Sequence, residues 1–282
     1  MSVILNEPPQ GAPSAAKGRR SKESRHYLVS EILRFSQNDI CVQNDTEAGI
    51  AVGAPHGGAD AMKVPDPQAV RKAFGRIARR YDLLNTLLSL GLHKAWRRRA
   101  AALCGEGRWA LDVCVGTGDL SRRLARRFRR VVGVDFSRPM LQVAQRRGGA
   151  ALIEGDALAL PFGDDAFDCA VIGFSLRNVA DLGALFREMA RVVRPGGRVV
   201  SLELTRPPGP LLGWAHRWYV GAVVPAVGAL VDREAYRHLA ETVGAFPEPE
   251  AIAAIMAESG LREVRIQRLS GGIVTIHVAV VP

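Results

Sequence analysis

Apolar residues follow two alternating patterns along the chain from residue 109 onwards. Apolar runs with the length of buried strands occur at five places, residues 109–114, 131–135, 151–154, 168–174 and 197–204. Between these runs, apolar residues three and four positions apart predict helices over residues 119–128, 137–147 and 181–193. Strands that alternate with helices are typical of a parallel sheet with helices on both faces.

Further elements flank this alternation on both sides. Ahead of the first strand, helical spacing predicts one helix from residue 69 and a second over about 83–103. After the fifth strand come a helical insertion at 209–243, a helix at 248–259 and two strands at 262–269 and 272–281. A closing antiparallel hairpin is not how an ordinary dinucleotide-binding domain ends.

Residues 1–65 lack this organisation. They are rich in Gly, Ala, Pro, Ser, Asn and Asp, with one short apolar periodic piece at 26–35. This composition predicts a disordered N-terminal extension, followed by one folded domain over 66–282. Within that domain, we expect residues 66–105 to form a helical lid. Met62 is a candidate natural start, because MKVPDPQAV leads directly into the first convincing helix.

Length and composition indicate one folded domain without a membrane span. Of the 282 residues, 48% are hydrophobic, which is enough for one substantial core. The longest apolar candidate, residues 218–231, contains Pro225 and is shorter than the roughly 18 residues that span a bilayer. The N-terminus has no basic segment ahead of an apolar core, as a secretory signal would have. We therefore expect a cytoplasmic protein.

The net charge of +10 is concentrated in arginine-rich stretches at 71–80, 94–99 and 122–130. Such stretches fit an anionic partner, either nucleic acid or a phospholipid surface, or they are simply solvated helix faces. No row of aromatic residues alternates with the arginines to stack bases, so we expect no nucleic-acid partner. The four cysteines and six histidines show no metal-ligand spacing, which predicts no metal site.

The first predicted strand runs through Asp112 into a tight turn, Gly116-Thr117-Gly118. A turn of this kind at a helix N-terminus suits any small molecule that approaches the backbone closely. A dinucleotide would favour glycine at position 121, which is serine here, and Asp119 would repel a pyrophosphate. Asp119 could accept a hydrogen bond from a cationic amino-acid head group, or it could only cap the helix.

Acidic residues also follow the next two predicted strands. Asp135, at the end of the second strand, is placed to bind a ribose diol, a feature common to NAD and S-adenosylmethionine. After the third strand, Asp156 could accept from an adenine amino group and Ala157 could pack on the ring, although a simple loop aspartate is the alternative. Together these positions predict an adenosyl pocket at the carboxyl edge of the sheet.

The order of these motifs resembles the class I S-adenosylmethionine-dependent methyltransferases, and more narrowly the ubiquinone/menaquinone biosynthesis C-methyltransferase family. YDLLNTLLSLGLHKAW at 81–96 and RVVRPGGRVVSLELT at 191–205 carry the narrower likeness, which extends from about residue 69 to 281. The resemblance implies a Rossmann-like α/β fold, with a seven-stranded doubly wound sheet whose last strand is antiparallel. Residues 66–282 would then be the methyltransferase domain.

The resemblance also implies the reaction, methyl transfer from S-adenosylmethionine to a ring carbon of a polyprenylated quinol. We favour demethylmenaquinol, with the ubiquinone-pathway benzoquinol left open and another lipid, such as a phospholipid amine, as the alternative. A non-catalytic adenosyl-binding protein is a further, less favoured hypothesis. The apolar stretch 210–231 would receive the isoprenoid tail, and the basic helices would hold the enzyme peripherally on an anionic membrane. The oligomeric state is left open.

The site residues implied for the cofactor are Asp112, Gly116, Thr117, Gly118, Asp119, Asp135, Asp156, Ala157 and Gly173. Two positions depart from the family pattern. Gly173 stands where serine is usual, so that contact is lost or is taken over by the backbone. Val115 stands where glycine is common, which would hold the cofactor slightly farther from the turn.

For the chemistry, the resemblance points to Leu176-Arg177-Asn178 after the fourth strand. We expect Arg177 to stabilise negative charge on the quinol oxygen and Asn178 to orient that oxygen, against the alternative that Arg177 forms a surface ion pair. His93 is the second candidate for the base, because an unperturbed imidazole titrates near neutrality. Its alternative is packing against Trp96. Tyr81 and Asp82 of the lid are expected to bind the substrate. Glu203 is expected to fix the lid or the substrate, with a structural salt bridge as the alternative.

Overall fold

The computed structural model describes residues 3–4, 81–229 and 241–282. Within these residues one mixed sheet has the strand order β1-β4-β3-β2-β5-β6-β8-β7. Its strands are β1 (Val3–Ile4), β2 (Gly107–Val113), β3 (Phe128–Asp135), β4 (Ala151–Glu154), β5 (Phe167–Gly173), β6 (Val193–Leu204), β7 (Arg262–Leu269) and β8 (Val274–Val280).

Strands β2 to β6 form the parallel centre of the sheet, and β8 lies antiparallel between β6 and β7. The predicted fold is therefore confirmed: an α/β domain with a seven-stranded sheet, β2 to β8, whose last strand is antiparallel. β1 adds an eighth strand that the sequence did not predict. Val3 and Ile4 pair antiparallel with Ile153 and Leu152 at the outer edge of β4.

Helices surround this sheet. They are α1 (Tyr81–Leu88), α2 (Leu92–Leu103), α3 (Ser121–Leu124), α4 (Arg138–Arg147), α5 (Leu182–Val192), α6 (Pro210–Trp218), α7 (Val224–Gly228) and α8 (Pro249–Glu258). A π-helical turn, Tyr219–Val223, joins α6 to α7, and 3-10 turns cover Leu176–Asn178 and Ser270–Gly272. Residues 241–245 are also helical.

The helix predicted over residues 119–128 is wrong in its second half. Leu124 and Phe128 stand four positions apart, as a helix requires, but the helix ends at Leu124. Phe128 is instead the first residue of β3 and pairs with Gly107 of β2. Strand pairing, which connects positions far apart in the sequence, therefore overrides the local spacing here.

One buried cluster lies between α2, α3 and one face of the sheet. Trp96 and Ala100 of α2 and Leu124 of α3 pack there against strand residues that include Cys169 and Val171. Side chains alternate along a strand, so the neighbouring residues of β5 point to the other face. Helices α5 and α8 pack against each other and against β5 to β8. The core thus fixes the carboxyl ends of the central strands.

Several sequence predictions lie outside the described residues. These are the extension 1–65 apart from β1, the helix from residue 69 to 80 with its basic stretch, and residues 230–240 of the insertion. The division into an extension and a domain over 66–282 stays a prediction. In the described part of the chain, each helix is too short or too polar to cross a bilayer.

Candidate functional site

Two neighbouring cavities lie near the carboxyl ends of the central strands. The strand order reverses at β2, which has β3 on one side and β5 on the other, and ligands of such sheets bind at this crevice. The first cavity, of about 250 Å³, opens there and is called the cofactor cavity. Eight of the nine predicted cofactor residues line it: Asp112, Gly116, Thr117, Asp119, Asp135, Asp156, Ala157 and Gly173.

The ninth predicted residue, Gly118, shapes the turn without lining the cavity. Its φ of +77° lies in the left-handed region, and a Cβ at this position would stand 3.2 Å from Cβ of Ala144 on α4. Glycine lets the turn pack this closely on the helix.

The glycine turn is also held by α1. The hydroxyl of Thr117 donates to Oδ1 of Asp82 on α1, at 2.9 Å, and Asp82 also forms an ion pair with Arg147 of α4.

Asp135 lies at the end of β3 with both carboxylate oxygens engaged by the backbone. The N–H of Gly116 donates to Oδ2 and the N–H of Ser137 to Oδ1, each at 2.8 Å. Burial raises the pKa of Asp135 to about 6, although these two hydrogen bonds oppose the shift. Each oxygen keeps a second lone pair for a ribose hydroxyl.

Ser137 is a cavity residue that the sequence reasoning missed. Its hydroxyl is buried in the wall of the cofactor cavity, and it is the one buried side-chain polar atom without a hydrogen-bond partner in the described part of the chain. Buried polar atoms are nearly always hydrogen-bonded, so an orphan hydroxyl in a cavity wall fits a polar ligand. Its position two residues after Asp135 was the available signal.

The other two acids near the turn differ in charge state. Burial raises the pKa of Asp112 to about 7, and its Oδ2 accepts from the hydroxyl of Ser121 at 2.5 Å. Burial also acts on Asp119, but nearby arginines outweigh it and bring the pKa of Asp119 below its ordinary value. Its carboxylate pairs with Arg97 at 3.6 Å, Arg122 at 2.8 Å and Arg123 at 2.7 Å.

The second cavity, of about 530 Å³, is called the acceptor cavity. Its walls come mostly from α1, α2, α6, the π-helical turn and the first residue of α7, with a few residues at the ends of β5, β6 and β8, and they are mainly apolar. Apolar lining residues include Leu88, Leu92, Trp96, Phe174, Leu212, Trp218 and Val224, and the charged or titratable ones include His93, Arg97, Arg177 and His216.

Arg177 reaches the acceptor cavity as half of a buried ion pair. Its Nη1 pairs with Oε1 of Glu203, whose side chain is 1% exposed. The same oxygen accepts the N–H of Leu204 at 2.9 Å. Arg177 is thus not in a surface ion pair. Glu203 lines neither cavity and forms a buried salt bridge with Arg177, which is the alternative to its holding the lid or the substrate.

His93 lies in the wall of the acceptor cavity with its Nδ1 2.7 Å from the hydroxyl of Ser89. Burial, assisted by the charge of Arg97, lowers the pKa of His93 to about 4. The sequence argument that this imidazole titrates near neutrality is therefore wrong, and the ring is neutral at physiological pH. His93 and Trp96 are both buried on α2 and both line the acceptor cavity, and the packing of one against the other stays a prediction.

The remaining predicted residues are distributed differently from the expectation. Asn178, expected at the quinol oxygen, lines the cofactor cavity, while its neighbour Arg177 lines the acceptor cavity. Asp82 lines neither cavity and lies beside the glycine turn. Tyr81 belongs to α1, but its side chain lies outside the described residues.

Arg97 is the second residue that the sequence reasoning missed. It was counted in the basic stretch 94–99, yet it is 7% exposed and lines both cavities. Its guanidinium carbon lies 4.9 Å from the centre of the Phe174 ring. The signal was its spacing, since His93, Arg97 and Ala100 repeat at helical intervals on the buried face of α2.

Comparison with known proteins gives the family of the chain. A sequence model of the ubiE/COQ5 methyltransferase family matches residues 62–281. The chain belongs to the ubiE/COQ5 methyltransferase family. It is accordingly an S-adenosylmethionine-dependent C-methyltransferase, and the polar groups around the cofactor cavity fit the ribose and adenine of that cofactor. Among the described residues, no group of three or more His, Cys, Asp or Glu side chains could hold a metal ion.

Relatives with assigned names share most of the chain. The demethylmenaquinone methyltransferase of Thermus thermophilus is 46% identical over 216 residues, covering 73% of this chain and 98% of the relative. The ubiquinone/menaquinone biosynthesis C-methyltransferase UbiE of Pseudomonas paraeruginosa is 37% identical over 253 residues, covering 81% and 99%. A SAM-dependent methyltransferase of Thermotoga maritima shares the fold, with a TM-score of 0.57 at 20% identity over 75% of this chain and 99% of that one.

The raised pKa of Asp135 predicts pH-dependent cofactor binding by this methyltransferase. The sequence predicts that the carboxylate of Asp135 accepts the ribose hydroxyls, and a carboxylate is a stronger acceptor than the protonated acid that forms below about pH 6. We therefore expect the affinity for S-adenosylmethionine to fall as the pH drops through about 6 and to level off above it, with protons released on binding. Calorimetry from roughly pH 5 to pH 8 measures both effects.

In this experiment, variants distinguish the contribution of Asp135 to the pH dependence from that of Asp112. Asp112→Asn removes the carboxyl whose pKa is about 7 and should leave the transition near pH 6 in place. Asp135→Asn should bind weakly at every pH. An unchanged affinity between pH 5 and pH 8 in the native enzyme would count against Asp135 as the ribose acceptor.

Proposed function

We propose that the enzyme transfers the methyl group of S-adenosylmethionine to a ring carbon of a polyprenylated quinol, converting demethylmenaquinol to menaquinol. The observation that carries this proposal is the large, mainly apolar acceptor cavity that meets the cofactor cavity at Arg97. Its 530 Å³ suits an aromatic ring with the first part of an isoprenoid tail. The names of the relatives support the same acceptor, and a phospholipid amine is not favoured.

In the cofactor cavity, we assign the ribose hydroxyls to Asp135 and Ser137 and the adenine to Asp156 and Ala157. The acidic side chains near the ends of β2, β3 and β4 supply hydrogen-bond acceptors, and the small side chain of Ala157 leaves room for the adenine ring. Asp119 remains our proposal for the amino-acid head group, with its oxygens shared among arginines. The bound cofactor supplies an activated methyl group and a neutral leaving thioether.

In the acceptor cavity, we assign the hydroxyl of the quinol to the guanidinium of Arg177. Glu203 holds that guanidinium in one orientation, so the donor is positioned before the acceptor binds. His93 is neutral and engages Ser89 through Nδ1, which leaves Nε2 as the ring atom for an acceptor hydroxyl. Because Arg177 and Asn178 are consecutive in one 3-10 turn, that turn contacts both reactants.

The test of this function is an anaerobic assay of the full chain in mild detergent. Methyl-labelled S-adenosylmethionine is offered with two reduced short-tailed acceptors, a demethylmenaquinol and a methoxy-benzoquinol. Label in the naphthoquinol supports the proposal, and label in both acceptors extends it to two pathways. Label in neither, with cofactor binding shown by calorimetry, overturns quinol methylation. Asp135→Asn is the matched control that should transfer no label.

We also propose that the enzyme acts at the surface of an anionic membrane. Among the described residues, the exposed large apolar side chains lie in two segments. One segment runs from α1 through the following turn to the start of α2, and the other is α6. They are Leu83, Leu87, Leu90, Leu92, Leu211, Leu212, Trp214 and Trp218. Four of them, Leu90, Leu92, Leu212 and Trp218, line the acceptor cavity. Exposed Lys94 and Arg98 adjoin this surface in sequence. A tryptophan-bearing apolar surface flanked by cations is typical of interfacial binding.

Vesicle binding tests the membrane proposal. The enzyme should sediment with vesicles that contain phosphatidylglycerol at roughly 0.1 M salt, and less at 1 M, because salt screens the basic residues. Lys94→Glu with Arg98→Glu should remove the salt-sensitive part, at about 1 kcal/mol for each basic residue lost. Trp214→Ser with Trp218→Ser should weaken binding at both salt concentrations. A native enzyme that stays in the supernatant at low salt contradicts the proposal.

For the chain as a whole, we propose residues 66–282 as the methyltransferase domain and 1–65 as an N-terminal extension, of which Val3 and Ile4 add a strand to the edge of the domain's sheet. The family match over residues 62–281 supports this division.

A further inference from the structure

Phe174 follows the carboxyl end of β5 and stands between two residues of the cofactor cavity. Gly173 and Ser175 line the cofactor cavity, whereas Phe174 lines the acceptor cavity. The chain therefore separates the two cavities at this point. An acceptor ring that rests against Phe174 lies beside the site of the methyl donor, where the reacting carbon has to be.

The backbone of Phe174 has an unusual conformation. Its φ of +62° lies in the left-handed region, which bulky side chains rarely adopt. The N–H of Phe174 donates to the carbonyl oxygen of Leu202 on β6 at 2.7 Å, and this bond holds the residue in place. Residues kept in such conformations cluster at active sites and ligand-binding sites. The conformation therefore agrees with a ligand-binding role for this side chain.

Phe174 and Trp96 of α2 form an aromatic corner in the wall of the acceptor cavity. Their ring centres are 6.3 Å apart, and their planes are inclined by 57°. The indole N–H of Trp96 donates to the hydroxyl of Ser270 at 2.9 Å. The guanidinium carbon of Arg97 lies 4.9 Å from the centre of the Phe174 ring. Aromatic rings attract a further ring in tilted or offset arrangements, so a flat acceptor meets two fixed aromatic side chains here.

Trp218 and Tyr219 also line the acceptor cavity, but they belong to a different part of it. Trp218 is 59% exposed on α6, within the surface proposed to meet the membrane. Tyr219 packs with Leu84 and Val224 in an apolar cluster separate from the one that contains the aromatic corner. The cavity thus has an aromatic part beside the cofactor cavity and a second part that reaches the exposed surface. This arrangement suits a ring that carries an isoprenoid tail.

We propose that the aromatic corner of Trp96 and Phe174 binds the ring system of the acceptor and holds its reacting ring beside the cofactor cavity. The inference rests on the proposed quinol methylation and names the residues that bind the ring. Two fused rings contact both side chains of the corner at once, whereas a single ring contacts less of it. A naphthoquinol therefore gains more from the corner than a benzoquinol.

The test measures the affinity of two probes for the full chain by calorimetry, with S-adenosylhomocysteine present. The probes are 4-methoxy-1-naphthol and 4-methoxyphenol, which carry the same substituents and differ by one fused ring. In Phe174→Leu the dissociation constant of the naphthol should rise by about tenfold, the upper range for one aromatic contact. That of the phenol should rise by at most about threefold. If the naphthol binds too weakly to be measured, the KM for demethylmenaquinol replaces its affinity, with the same expected rise.

Phe162→Leu is the matched control. Phe162 is 8% exposed, against 7% for Phe174, and it also packs on an aromatic ring, that of Phe167, at 4.9 Å between ring centres. It lines neither cavity, so its replacement should leave the affinity of both probes unchanged. Phe174→Tyr keeps the ring and should restore naphthol binding. Trp96→Leu should also weaken naphthol binding more than phenol binding, and it replaces Phe174→Leu if that variant fails to fold.

The outcomes separate this inference from the proposed function. Equal naphthol affinities in the native enzyme and in Phe174→Leu overturn the role of the aromatic corner. Equal losses for the two probes, or equal losses in Phe174→Leu and Phe162→Leu, overturn it as well, because they indicate a general loss of packing. S-adenosylmethionine affinity and melting temperature are measured for each variant. The labelled-methyl assay of the native enzyme decides the proposed function separately, and label in neither quinol overturns that function whatever the two probes show.

Discussion

Replacing Glu203 by glutamine is expected to lower the free energy of unfolding by about 3–5 kcal/mol, the cost of leaving a buried charge without its partner. Glu203 is fully buried, and its carboxylate compensates the buried guanidinium of Arg177. For a domain of this size the melting temperature should fall by roughly 10 °C. Thermal unfolding at neutral pH measures the change, and the labelled-methyl assay measures the accompanying loss of transfer.

Two further variants identify the cause of this loss. Glu248→Gln breaks an Arg–Glu pair on the surface, that of Arg206, and should cost at most about 1 kcal/mol. The double variant Arg177→Met with Glu203→Leu should recover most of the stability, because it leaves no unpaired charge, but it should not recover methyl transfer. If the double variant transfers methyl groups normally, Arg177 does not bind the acceptor.

Asp82→Asn is expected to weaken S-adenosylmethionine binding by about tenfold to a hundredfold, the equivalent of 1.4–2.8 kcal/mol. The carboxylate of Asp82 ties α1 to the hydroxyl of Thr117 in the glycine turn and to Arg147 of α4. Hydrogen bonds to charged groups contribute amounts of this order. Calorimetry at a pH above the transition of Asp135 gives the affinity directly.

The partner and control variants for Asp82 are available in the same chain. Thr117→Val removes the other half of the hydrogen bond, so its effect should be less than additive with that of Asp82→Asn. Asp164→Asn breaks the exposed pair with Arg191 and should leave cofactor affinity unchanged. An affinity of Asp82→Asn within twofold of the native value would mean that α1 does not support the turn.

The cofactor cavity could be predicted from the sequence because its residues follow strand ends. Asp112, Asp135 and Asp156 stand just inside or just after β2, β3 and β4, and adjacent parallel strands bring such positions to one edge. The place of each aspartate in the cavity therefore follows from where its own strand ends in the sequence. Ser137 could have been included by the same rule.

The acceptor cavity could not be predicted in the same way, because its walls come from segments whose relative placement depends on packing. Leu88 of α1 and Val224 of α7 are 136 positions apart, yet they line one cavity. Charge state depended on packing as well. His93 was assigned an ordinary imidazole pKa, but burial beside Arg97 lowers it to about 4. The sequence pattern placed these residues on helices, but it did not show which side chains from other parts of the chain would surround them.

The two cavities are built from different parts of the chain, and this separation makes acceptor choice independent of cofactor use. Residues 112–120 and 135–180 supply nearly all of the cofactor cavity, whereas residues 85–97 and 204–224 supply most of the acceptor cavity. Exchange of the acceptor segments between homologues can therefore redirect the enzyme to a different ring or tail while the methyl-donor site is inherited unchanged. Arg97, common to both walls, is the position that such chimaeras must retain.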